Sequence, residues 1–94
     1  MRYQDLKQEA MKDPEVKAEY DILAPQYEII SQMIDARNKN NMTQAELAQK
    51  SGLKQSNISR FENGKVEPTI EFLEKIALAL GYTLDIRLQQ LKQL

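Results

Sequence analysis

Apolar residues recur along this chain with a helical period that changes only near its end. Tyr27, Ile30, Met33 and Ile34 stand at the spacing of one buried helix face and predict a helix from Pro25 to about Lys39. Asn38, Asn40 and Asn41 close it as a polar loop. Upstream, Val16, Tyr20 and Leu23 repeat at helical spacing over residues 14–23, with Asp13 as N-cap and Pro14 in the first helical position. Leu6, Ala10 and Met11 suggest a shorter helix over residues 3–12.

Downstream the punctuation is sharper. Thr43-Gln44-Ala45-Glu46 has the form of a capping box, in which Thr43 and Glu46 each satisfy a free amide at a helix start. The helix from Gln44 turns Leu47 and Ala48 inward and stops at Gly52, where a left-handed cap belongs. Ser51, Gly52 and Leu53 separate it from a helix over Gln55–Glu62, whose buried side is Ile58 and Phe61. Asn63-Gly64 is a turn signal. Thr69 caps a further helix with an apolar face of Ile70, Leu73, Ile76, Ala77 and Leu80, ending at Gly81. Over residues 82–88 the period falls to 2. That predicts a strand with Tyr82, Leu84, Ile86 and Leu88 on one side. The fold class is therefore mainly all-α.

Composition narrows the chemistry. The chain of 94 residues supports a single core, marginal on its own and helped by a partner. It has no Cys and no His, which removes disulfides, thiol nucleophiles, imidazole bases and ordinary zinc or haem ligation. The carboxylates are scattered without visible pairing, so an enzyme is the unfavoured class and no cofactor is expected. No run of eighteen apolar residues suits a membrane span, and no basic-then-apolar leader opens the chain. A cytoplasmic binding protein is the expectation.

The net charge of −1 conceals an asymmetry. Residues 1–35 carry four basic and eight acidic side chains. Residues 36–65 carry six basic ones (Arg37, Lys39, Lys50, Lys54, Arg60, Lys65) against Glu46 and Glu62. An acidic arm joined to a basic centre fits two partners of opposite character, although windows of this length also fluctuate by chance.

Two short helices joined through a glycine turn form a helix-turn-helix pattern, a spacing that a plain helical hairpin also satisfies. With Ile58 and Phe61 packed, the second helix leaves Gln55, Ser56, Asn57, Ser59 and Arg60 as its polar side. Amide, hydroxyl and guanidinium groups of these kinds hydrogen-bond base edges in the major groove.

Gln44, Leu47, Ala48, Gly52, Leu53, Ile58, Ser59, Phe61, Glu62, Gly64, Pro68 and the helix end over residues 77–81 together resemble the Cro/C1-type (XRE) helix-turn-helix family, across residues 27–81. The resemblance implies a five-helix lambda-repressor-like domain. By the same analogy Gln44 holds a DNA phosphate, Gln55, Ser56 and Arg60 face bases, and Asn63 and Lys65 meet the backbone beyond the recognition helix. It further implies an ion pair between Arg37 and Glu62 that fixes the recognition helix. Lys54 departs from the Ser or Thr cap common in the family, and either weakens the helix start or reaches a phosphate itself.

Three segments follow: an arm (1–24), a DNA-binding domain (25–81) and a tail (82–94). No second strand is evident to pair with the one in the tail. Pairing across a twofold axis with another copy is the economical solution, and it sets two recognition helices on a palindromic operator. A frayed tail, or one folded back on its own domain, is the plainer alternative. The arm, with Lys12 to Tyr20 leading straight into the domain, resembles HigA-type antitoxins, which pair with basic RelE/HigB-like messenger-RNA-cleaving toxins. Leu6, Val16, Glu19, Tyr20 and Leu23 are then candidate toxin contacts. The competing readings are a stand-alone phage- or plasmid-type repressor with a structural arm, and a protein-interaction adaptor that does not bind DNA.

Overall fold

Asp13 opens the first helix with its carboxylate accepting from the Glu15 amide at 2.9 Å, and Pro14 takes the first position, where its missing N–H costs nothing. In this computed structural model, which describes residue 8 and residues 12–90, four helices follow: α1 (Pro14–Lys39), α2 (Gln44–Ser51), α3 (Gln55–Glu62) and α4 (Ile70–Ala79). Among the described residues there is no strand. Of the expected helix over residues 3–12, only residues 8 and 12 are described; Leu6 lies outside the described residues, as do the side chains of Val16, Glu19, Tyr20 and Leu23.

The helix expected to begin at Pro25 instead continues through it, so α1 is a single element of 26 residues. A proline inside a helix loses one backbone bond and costs about 3 kcal/mol relative to alanine. The helix is held on both sides of that defect, by the Asp13 cap before it and by Ile30, Met33 and Ala36 in the core after it. Local proline grammar yields here to anchoring at the two ends. This accounts for part of the difference from the expected five helices.

The core is built from all four helices. Phe61, Ile58 and Ile76 have no exposed surface and Leu47 has 1%, with Ile30, Met33, Ala48, Leu73, Ala77 and Leu80 around them. Helix α2 packs on α3 and α4, and α1 packs on α3. The rings of Phe61 and Phe72 meet edge to face at 5.4 Å. Ile70, expected on the buried face of α4, is 57% exposed. A helical side chain covers the turn before its own Cα, and at the first position of α4 no core lies there.

The strand expected over residues 82–88 does not form within the single chain. Residues 82–90 have no regular structure, because a lone extended segment finds no ladder partner among the described residues. Leu84 is half-buried against the core, while Tyr82, Ile86 and Leu88 are exposed. Between α1 and this segment runs an open groove of about 390 Å³, with Ile29, Met33, Ala77 and Leu84 among its lining.

Candidate nucleic-acid interface

The interface is set by how α2 and α3 begin and end. Thr43 accepts from the Glu46 amide at 3.1 Å, and the Thr43 amide donates to the Glu46 carboxylate at 3.0 Å, completing the capping box. These contacts hold the Glu46 carboxyl below its ordinary pKa. The Thr43 backbone N–H is the main cause and the Thr43 hydroxyl the second. Gly52 ends α2 with a left-handed φ of +76°, which turns the chain into α3 after two further residues.

Helix α3 divides as its sequence implies. Ile58 and Phe61 are fully buried, Gln55, Ser56, Asn57 and Arg60 are exposed, and Ser59 is half-buried. Lys54 is the N-cap and is exposed, but its side chain makes no capping bond. The polar side is thus free of intramolecular duty near the helix start. At the other end the Lys65 amide donates to the Arg60 carbonyl at 2.9 Å and the Gly64 amide to the Phe61 carbonyl at 3.0 Å. This Schellman pattern requires the left-handed φ of +70° at Gly64. Asn63 donates from Nδ2 to the Ser59 carbonyl at 2.8 Å and remains exposed, as does Lys65.

Behind α3 lies a charged cluster. Arg37 donates from Nε to Glu62 Oε2 at 2.8 Å and from Nη2 to Glu62 Oε1 at 2.9 Å, a two-point fork. Its Nη1 donates to the Met42 carbonyl at 2.8 Å. The side chains are 14% and 7% exposed for Arg37 and Glu62, so the pair is largely enclosed. It ties α1 both to the end of α3 and to the residue just ahead of the capping box.

Gln44 is placed differently from a freely extended phosphate contact. It is half-buried and donates from Nε2 to Glu62 Oε1 at 3.0 Å. Sequence spacing gives no signal for this bond, because its partners lie on separate helices 18 residues apart. The fork between Arg37 and Glu62 follows from family resemblance; its third member does not. Among the described residues no helix is long and apolar enough to cross a membrane.

The arrangement is therefore one short helix, polar and open on its outer side, clamped from behind by a carboxylate that three donors share. A helix-turn-helix family model matches residues 33–86, more than half of the chain, and spans every residue of this arrangement. A Haemophilus influenzae protein described as an uncharacterized HTH-type transcriptional regulator is 38% identical over 58 residues. That stretch is 62% of this chain, and the chain spans 59% of that relative's length. No solved structure shows a significant match. With its motif residues in place on α2 and α3, and with the family match running from α1 to the tail, the chain belongs to the Cro/C1-type (XRE) helix-turn-helix family.

Proposed function

We propose that the protein is a sequence-specific DNA-binding transcriptional regulator. The observation that carries this reading is the division of α3, where a fully buried Ile58 and Phe61 back an exposed set of Gln55, Ser56, Asn57 and Arg60. These are side chains suited to base edges, and Arg60 matches the pattern of a bidentate guanine contact. Lys54, Asn63 and Lys65 flank the helix as phosphate contacts, with Ser59 at the edge of the reading side. The uncapped start of α3 supports the same orientation, since free amides and the positive helix end favour a phosphate there. The Haemophilus influenzae relative supports regulation of transcription as the role.

The regulator works as a homodimer on a palindromic operator. Tyr82, Ile86 and Leu88 are exposed apolar side chains on a segment without regular structure, chemistry suited to pairing with the same segment of a second copy. Leu78 on α4, just ahead of this segment in sequence, is also an exposed apolar side chain.

The arm, residues 1–24, is proposed to dock a basic RelE/HigB-like toxin, making the protein an antitoxin that represses its own operon. Support for this comes from the acidic arm and its resemblance to HigA-type antitoxins. The continuity of α1 favours a second reading, a stand-alone repressor in which the arm is structural. Deleting residues 1–24 separates the two, because Pro25 is well suited to start the shortened helix. On the antitoxin reading the deletion abolishes rescue from a co-expressed toxin of the neighbouring gene while DNA binding survives. Loss of the fold favours the structural arm, and absence of any such toxin leaves the repressor reading standing alone. For DNA binding itself, the test is a duplex titration over salt. Affinity falls steeply, and each Lys or Arg phosphate contact removed lowers the log–log slope by about 0.9. An adaptor without DNA binding shows neither effect.

A further inference from the structure

We propose that Glu62 is a positioning residue for Gln44, holding the Gln44 amide in the one orientation that offers a donor to a DNA phosphate. The inference rests on the DNA-binding reading above. Glu62 Oε1 accepts from both Arg37 Nη2 at 2.9 Å and Gln44 Nε2 at 3.0 Å, while Oε2 accepts from Arg37 Nε at 2.8 Å. A glutamine amide has two chemically opposite ends, and the carboxylate discriminates between them. It attracts the NH2 end and repels the carbonyl end, so the charge of Glu62 decides the orientation of Gln44.

An NH2 group carries two hydrogens, and only one is directed at Glu62. The second points away from the carboxylate, and Gln44 as a residue is half-buried rather than enclosed. The backbone at this point is also fixed. Arg37 Nη1 holds the Met42 carbonyl at 2.8 Å, the Thr43–Glu46 box closes the turn, and Gln44 is the first residue of α2. Long polar side chains normally lose rotamer freedom when they bind, and here that freedom is already lost in the free protein. The carboxylate that locks α3 to α1 thereby also aims a donor located on α2. One charge coordinates both helices of the motif.

The role is tested by a double-mutant cycle read with a random-sequence DNA duplex, since a phosphate contact is independent of sequence. Gln44→Ala in the wild-type background weakens binding about tenfold. The salt slope stays unchanged, because a neutral side chain displaces no counterion. In the Glu62→Gln background the same replacement costs no more than about twofold, because the amide is no longer aimed. An equal loss in both backgrounds, or no loss in the wild-type background, overturns the proposal while leaving DNA binding intact. A wild-type chain that binds no duplex at any salt overturns the DNA reading and this role with it.

Should Glu62→Gln not fold, proton exchange in the wild-type protein decides. One proton of the Gln44 amide pair is protected relative to both protons of the exposed Gln55, and the other shifts when the duplex is added. Equally fast exchange of both Gln44 protons overturns the assignment.

Discussion

Glu62 accepts from Arg37 Nε and Nη2 and from Gln44 Nε2, and its removal is correspondingly costly. With its side chain 7% exposed and that of Arg37 14%, Glu62→Ala leaves an enclosed guanidinium with only the Met42 carbonyl. We expect a loss of about 3 kcal/mol in urea unfolding, at the scale of breaking a buried pair rather than a surface one. Full retention of stability would refute a clamping role. Glu46 offers a separate handle through pH. Its folded pKa is lowered, so its stabilising effect is fully present above the ordinary glutamate range and is lost as pH falls through the lowered value. The Thr43 amide resonance should report that titration, and Glu46→Gln should abolish it. Gly64 is constrained by backbone rather than by space, since an added Cβ would meet only a Tyr27 ring carbon at an ordinary 3.5 Å. Gly64→Ala should therefore destabilise by about 1 kcal/mol, through its φ of +70°.

Helix starts and stops are written locally, and that is why most elements were legible from the sequence. Thr43 with Glu46, Gly52, Thr69 and the buried pair Ile58 and Phe61 each act within a few residues, and each sits where its spacing implies. Pro25 misleads for the complementary reason, because what keeps α1 intact there is anchoring before and after the proline and not the proline's own neighbours. Replacing it tests this account. Pro25→Ala should raise thermal stability and leave α1 spanning the same residues, whereas a helix that now breaks elsewhere would show that the proline shaped the element. The Gln44 bond to Glu62 was illegible because it depends on how α2 and α3 pack, which no local pattern encodes. The fork from Arg37 to Glu62 was legible only through family resemblance, for the same reason.

For the whole molecule, the tail poses the question that one chain cannot answer internally, since a strand over residues 82–88 exists only when another strand pairs with it. If Tyr82, Ile86 and Leu88 face a second copy, Ile86→Ser combined with Leu88→Ser should shift sedimentation from dimer to monomer without lowering helix content. A wild-type chain that sediments as a monomer at high concentration would contradict the pairing. In the dimer proposed above, two α3 helices would have to sit about one DNA turn apart to read a palindrome. On the proposed function, the exposed side of α3 reads base sequence. The most direct test is to compare wild type and Arg60→Ala on a selected operator and on a random duplex at one fixed salt concentration. The account predicts that Arg60→Ala loses about 1–3 kcal/mol more on the operator than on the random duplex, narrowing discrimination. An equal loss on both duplexes, or none on either, would contradict it.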